Sequence, residues 1–300
     1  MASAEIKFTI ITPTYNRAHL IGKTIESVLR QTYPNWELLI CDDASTDNTP
    51  ELVASFRDAR IRYLRSPVNG GNAAARNLGL KHSSSTWITF VDSDDTYDPE
   101  YLKEFFLKIG ESDEPRFLFC GYRVVRDSKT ISTVTWNPVS MSRGSFLYDL
   151  KIGIGCGVMF HRKCLDEVGI FDERLRVAVD TDFLIRMELK YSFTVIDKVL
   201  IAIQTHDGPR VRKDPVNIAK SYQIIIAKHE VVISGDKELA RKWYYKFMWL
   251  QYHAGNVKGG NATYTTLKES ECMNVKIRFI HAIFNILPSR LAKFIHKNIS

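Results

Sequence analysis

This 300-residue sequence predicts an α/β fold: a mostly parallel central sheet with helices on both faces, followed by a C-terminal helical extension. Three observations predict it. Through the first hundred residues, short β-branched and aromatic runs alternate with stretches of helical apolar spacing, the pattern of parallel strands joined by crossover helices. Polar and acidic residues follow these runs directly, as they do at the carboxyl ends of such strands. From Pro215 onward the spacing is helical and the charge turns basic, with thirteen Lys/Arg against five Asp/Glu.

The elements follow in order. "FTIIT" (Phe8 to Thr12) reads as the first strand. Between Ala18 and Gln31, the apolar positions Ile21, Ile25, Val28 and Leu29 recur at helical spacing. "WELLICD" (Trp36 to Asp42) is a second strand, and Thr49-Pro50-Glu51 supplies an N-cap, a first-turn proline and a first-turn acid for the next helix. "IRYL" (Ile61 to Leu64), a helix over Asn72 to His82, and "WITFVD" complete the alternation. Further on, "RFLFCGYRVV", "CGVMF" and "FTVIDKVLIAI" read as strands and Thr181 to Lys190 as a helix. Gly255 to Asn261 reads as a loop between C-terminal helices. The expected division is 1–214 for binding and catalysis and 215–300 for the basic helical region.

Composition narrows the class. With 45% hydrophobic and 25% charged residues the chain can bury a large core. The N-terminus has no basic stretch leading into an apolar run, and no segment reaches the roughly 18 apolar residues of a membrane span, so the expected location is the cytoplasm. Cys41, Cys120, Cys156, Cys164 and Cys272 form an odd set with no Cys-x-x-Cys pair, the pattern of reduced, mostly buried thiols.

The chemistry gathers after the strands. "VDSDDTYDP" (residues 91 to 99) sets Asp92, Asp94, Asp95 and Asp98 within seven positions. Such like charge repels itself, and a hard cation of the Mg²⁺ or Mn²⁺ type, which takes oxygen ligands and bridges to phosphates, would relieve it. Asp98, before Pro99, suits a helix cap. After the first strand stand Pro13, Thr14, Tyr15 and Asn16, and after the second Asp42 and Asp43. "NGGNAAARNLG" (Asn69 to Gly79) has neither dinucleotide-binding nor P-loop glycine spacing, which weighs against a nicotinamide dehydrogenase and a P-loop NTPase.

The run "TIITPTYNRAHLIGKTIESVLRQTYPNWELLICDDASTDNTPEL", then "NGGNAAARNLGL", then "WITFVDSDD" resembles the family 2 glycosyltransferases, an inverting group with the GT-A fold. The resemblance is close over Phe8 to Leu107. It implies that Thr12, Pro13 and Tyr15, together with Asp43, hold the nucleotide base of a nucleotide-sugar donor, usually uracil. It implies that Arg76 lies near the nucleotide, that Asp92 faces the ribose, and that Asp94 ligates Mn²⁺ or Mg²⁺. "GIFDERLRVAVDTDFLIRMEL" aligns Asp180 with the family's catalytic base, with Asp182 as the rival. Val179 stands where the family usually has Glu. His206 matches a histidine close to the metal and diphosphate, and Arg210, Arg212 and Lys213 would close over the phosphates.

The implied function is transfer of a sugar, from UDP in the first instance, to a hydroxyl of a glycan or lipid-linked acceptor in cell-surface polysaccharide synthesis. A metal-dependent nucleotidyltransferase and a non-catalytic nucleotide-sugar-binding protein are the alternatives. Beyond about Asp214 the resemblance ends. "MNVKIRFIHAIFNILPSRLAKFIHKNIS" has no Asp or Glu and mixes apolar residues with Lys and Arg. That composition suits peripheral attachment to the cytoplasmic face of the inner membrane, or a helical cap with solvated cations. It carries no nucleic-acid-binding module.

Overall fold

The structure is a computed structural model that describes residues 6–110, 114–136, 157–205 and 214–299, with residues 297–299 described by their backbone alone. The chain divides into two compact units, Met1–Glu173 with Val179–Gly208, and Arg174–Ala178 with Pro209–Ser300.

The first unit is built on β1 (Phe8–Thr14), α1 (Ile21–Leu29), β2 (Trp36–Asp42), α2 (Thr49–Ser55), β3 (Ile61–Arg65), α3 (Asn72–His82) and β4 (Trp87–Phe90). β5 (Thr96–Tyr97), α4 (Tyr101–Ile109), β6 (Phe117–Arg126), β7 (Lys129–Val134), β8 (Val158–His161), α5 (Cys164–Val168), α6 (Val179–Lys190) and β9 (Phe193–Gln204) complete it. The strand order is β3-β2-β1-β4-β8-β6-β9-β5, with β7 on β6. The first four strands run parallel. β8 then enters antiparallel to both β4 and β6, and β9 runs parallel to β6, so the whole sheet is mixed.

Every residue of β1 and β2 is buried, as expected for strands covered on both faces. α1 covers one face with Ile21, Ile25 and Val28, and α3 packs close on the other. A Cβ at Gly79 would lie 2.5 Å from Ile11 Cγ2 and 2.9 Å from Cys41 Sγ, so the absence of a side chain lets α3 settle on β1 and β2. Register matters most for the site. Thr14 is level with Asp42, Ile11 is level with Phe90, and Val91 N–H donates to Ile11 O at 3.2 Å. The carboxyl ends of β1, β2 and β4 therefore open on one edge.

Cys41, Cys120, Cys164 and Cys272 are buried and form no disulfide among the described residues; Cys156 lies outside them. Burial pushes the Cys41 and Cys164 thiols up to about 12, which makes them inert.

The second unit is helical: α7 (Pro215–Lys228), α8 (Glu230–Ser234), α9 (Lys237–His253), α10 (Val257–Glu269), α11 (Val275–Ile286) and α12 (Ser289–Ile299). Asp214, Asp236, Asn256 and Asn274 each cap a helix by accepting backbone N–H bonds. The loop expected over Gly255 to Asn261 is shorter than that. Asn256 Oδ1 accepts from Gly259 N–H at 2.9 Å, which starts α10 within the glycine-rich stretch. Gly260 is a contact glycine, since a Cβ there would collide with the Tyr252 ring.

Three histidines of this unit sit among aromatic side chains. His253 and His296 have ring centroids 5.2 Å apart, and His296 is 5.3 Å from Trp249. Burial, with help from His296 and Lys293, lowers His253 to about 4, and burial lowers His281 and His296 as well. These groups stay neutral in the folded chain while the unfolded chain takes up protons below about 6.5. The contribution of His253 to stability is present above that value and is lost as pH falls toward 4, and those of His281 and His296 fade in the same direction. The thermal midpoint of this unit should drop by roughly 5 °C between pH 7 and pH 5, and by less in His253→Gln; calorimetry at the two pH values checks it.

Candidate active site

At the open edge, the loops after β1 and β2 are laced together by side chains. Asn16 takes a left-handed backbone conformation, φ 52°, and its Oδ1 accepts from the N–H groups of Thr46 at 2.7 Å and Asp47 at 3.3 Å. Asp47 accepts from Ala18 N–H at 3.1 Å and from the Thr49 hydroxyl at 2.6 Å. Partial burial opposes its charge, but these bonds outweigh it and hold the Asp47 carboxyl below the usual range. Tyr15, in the loop after β1, is 45% exposed, so its ring is not part of the buried core. Thr12 and Pro13 are buried in β1, and Thr12 Oγ1 has no hydrogen-bond partner among the described residues.

Asp43 is buried, and both of its oxygens meet backbone N–H groups, Gly70 at 2.8 Å and Gly71 at 2.7 Å. It thereby pins the loop that leads into α3. Its neighbour Asp42 accepts from Ser45 N–H at 2.9 Å and from the Tyr63 hydroxyl. Asp42 therefore braces the turn, while Asp43 fixes the start of the helix that carries Arg76.

Arg76 is 1% exposed. Nη1 donates to Asp180 Oδ1 at 2.5 Å and Nη2 to Asp92 Oδ1 at 2.9 Å. The guanidinium carbon lies 5.6 Å from the Phe90 ring centroid and 5.5 Å from that of Phe171, within cation–π range. Burial opposes its charge, and the Asp180 and Asp92 carboxylates outweigh burial, holding Arg76 above its ordinary value. This is a buried ion cluster spanning 104 residues of sequence.

The four aspartates after β4 have separate surroundings. Asp92 belongs to the Arg76 cluster and Asp94 is half-buried. Asp95 is buried and accepts from Gln204 N–H at 2.9 Å, while its carbonyl accepts from the Thr24 hydroxyl at 2.8 Å, so it ties this loop to β9 and α1. Asp98 accepts from Glu100 N–H at 3.1 Å at the entry to α4. Two of the four thus serve the fold.

At the start of α6 the two candidate bases also separate. Asp182 is fully buried, and its Oδ2 accepts from Arg186 Nε at 3.0 Å and Nη2 at 2.8 Å. Arg186 in turn holds the carbonyls of Val168 and Ile170. Asp180, which is 9% exposed, reaches Arg76 instead. Ala178 precedes α6 at φ 56°, a left-handed strain of about 1 kcal/mol next to Asp180. Val179 is buried. His206, Arg210, Arg212 and Lys213 lie outside the described residues.

Nothing in its sequence context marks Asn77, yet it fixes the segment that carries Phe171 beside Arg76. Its Nδ2 donates to Phe171 O at 3.0 Å and Glu173 Oε1 at 2.8 Å, and its Oδ1 accepts from Phe171 N–H at 3.0 Å. Phe171, over Arg76, is fixed by these bonds. The signal available was only its place beside Arg76 in "AARN".

The family model described as glycosyl transferase family 2 matches residues 9–169, which hold β1 through α5 and every cluster member except Asp180. The chain belongs to this family. The family 2 chain is 38% identical over 148 residues to the UDP-Glc:alpha-D-GlcNAc-diphosphoundecaprenol beta-1,3-glucosyltransferase WfgD of Escherichia coli, covering 49% of this chain and 57% of WfgD. It is 32% identical over 190 residues to the putative colanic acid biosynthesis glycosyl transferase WcaA of Escherichia coli K12, covering 61% and 66%. The chain thus spans 57% of the length of WfgD, and it spans 35% of an uncharacterized glycosyltransferase of Rickettsia felis. Among solved structures, S. aureus TarS 1–349 in complex with UDP-GlcNAc superposes with a TM-score of 0.65 at 19% identity, over 89% of this chain and 91% of that one. This likeness shows a shared fold, and the glycosyltransferase sheet with its helical covering is GT-A-like.

Among the described residues, no three His, Cys, Asp or Glu side chains form a complete ion site. A cation of the Mg²⁺ or Mn²⁺ type does not need one, because one or two carboxylates suffice when a diphosphate supplies the remaining oxygens. The half-buried carboxylate of Asp94 fits that chemistry.

Proposed function

We propose that the chain is an inverting glycosyltransferase, moving a sugar from a UDP-sugar to a hydroxyl of a glycan or lipid-linked acceptor in cell-surface polysaccharide synthesis. One observation carries the reading: Arg76 joins Asp92, in the Asp-x-Asp segment, to Asp180, at the head of α6. A carboxylate suited to the donor and one suited to the acceptor thus share one buried cation. The printed activity of WfgD, on a diphosphoundecaprenol-linked sugar, supports a lipid-linked acceptor, and TarS with UDP-GlcNAc supports a UDP-sugar donor. The expected setting is the cytoplasmic face of the inner membrane, with residues 1–214 as the catalytic region.

In this mechanism Tyr15 and Asp43 bound the base pocket at the ends of β1 and β2, and Asp92 meets the ribose. Asp180 accepts the proton of the acceptor hydroxyl as the hydroxyl attacks the anomeric carbon. A single displacement inverts the configuration, and no protein-bound sugar forms. Mn²⁺ or Mg²⁺, held by Asp94 and in the family pattern by His206, would supply Lewis-acid stabilisation of the departing diphosphate. Arg76 holds Asp92 and Asp180 in place.

A panel of nucleotide sugars, tested with and without Mn²⁺ for binding and slow hydrolysis, tests the reading. UDP-sugars should bind in a metal-dependent way, and Asp94→Asn should weaken donor binding by about 10–100-fold and remove its response to Mn²⁺. Should no UDP-sugar bind, or should Asp94→Asn respond like the parent, the reading is wrong. Binding with neither hydrolysis nor transfer would favour a non-catalytic protein, the alternative raised by Val179.

A further inference from the structure

We infer that the second unit docks on an anionic lipid bilayer through the outward face of α11 and α12. α11 carries two apolar stripes. Ile277, Ile280, Ile283 and Phe284 are buried. Val275, Phe279, Ala282 and Ile286 follow one another at intervals of four, three and four residues, which places them along the opposite side of the helix. Val275 is 83%, Phe279 47% and Ile286 78% exposed. A helix with one face in a core ordinarily turns polar residues to water, so a second apolar row marks a surface with another use. On α12, Leu291 and Phe294 are exposed as well.

Charge selects the occupant. From Met273 to Ser300 there are five Lys/Arg and no Asp or Glu. Lys276 and Arg278 flank the stripe, and Arg290 and Lys293 follow on α12. A second copy presenting the same face would set like charges against each other, which disfavours self-association. An anionic bilayer answers both features, since apolar side chains enter the acyl boundary while the flanking cations meet lipid phosphates. The helix would lie on the surface. Its 12 residues extend about 18 Å, against about 30 Å of hydrocarbon, and no described helix is long and apolar enough to cross a membrane.

Co-sedimentation of the whole chain with vesicles of phosphatidylcholine alone, or with about one third phosphatidylglycerol, tests this. The expected result is binding about tenfold tighter to the phosphatidylglycerol vesicles, weakened severalfold by raised salt. Phe279→Ser with Ile286→Ser, and separately Lys276→Glu with Arg278→Glu, should each lower it about tenfold while the thermal midpoint and circular dichroism hold. Equal binding to both vesicle types, or variants that bind as the parent does, would overturn the assignment. So would a parent that is dimeric by light scattering without vesicles and made monomeric by the stripe variant, which would give the face to a second copy. Vesicle binding is read without any sugar donor, so failure of the glycosyl-transfer reading would leave this result intact.

Discussion

Asp180→Asn is expected to keep UDP-sugar affinity within about threefold of the parent while lowering transfer by about 10²–10⁴-fold, the range for loss of a general base. Asn matches Asp in shape, and its Oδ1 still accepts from Arg76 Nη1, so the cluster keeps its geometry. What the variant lacks is a carboxylate able to take a proton. Calorimetric titration of donor, set beside initial rates of UDP release, separates the two effects. Asp182→Asn provides the contrast. That carboxylate is fully buried against Arg186, which also holds the Val168 and Ile170 carbonyls, so the variant should lower stability while each folded molecule keeps its rate. Parental transfer by Asp180→Asn would move the base elsewhere.

How much of this was legible in the sequence depends on the range of each interaction. β1, β2, α3 and β4 are readable because local periodicity and continuous apolar runs define them. The mixed half of the sheet is not, since β8 and β9 take their places beside β4 and β6 by pairings between distant segments. Gly255 to Asn261 looks like a loop because three glycines fall together, yet Gly260 is there for the Tyr252 ring. In the site, the edge residues are legible from strand ends alone. Arg76 is not, because nothing in "NAAARN" distinguishes a solvated arginine from one buried against an aspartate 104 positions later. The same holds for Asp43, whose glycine partners lie 27 and 28 residues away. The resemblance to a family supplied a role for each, and the fold supplied the contacts.

Those contacts make Arg76→Met a strongly disruptive change in the first unit. Met keeps much of the apolar stem volume that packs near Phe90 and Phe171 but removes the cation between two carboxylates. The Asp180 side chain is 12% exposed and that of Asp92 27%, so water compensates only partly, and breaking such a pair costs about 3–5 kcal/mol, with the lower end fitting the more open Asp92. Urea denaturation should show this as a lower midpoint, with donor binding weakened because Asp92 loses its anchor. Loss of packing alone would predict the same first result, so the test is a cycle with Asp180→Asn. Once Asp180 is neutral, removing the arginine strands one carboxylate instead of two, and the cost of Arg76→Met should shrink by about 1–3 kcal/mol. Equal costs in both backgrounds would mean that Arg76 is held by its aromatic neighbours and that the two carboxylates do not share its charge.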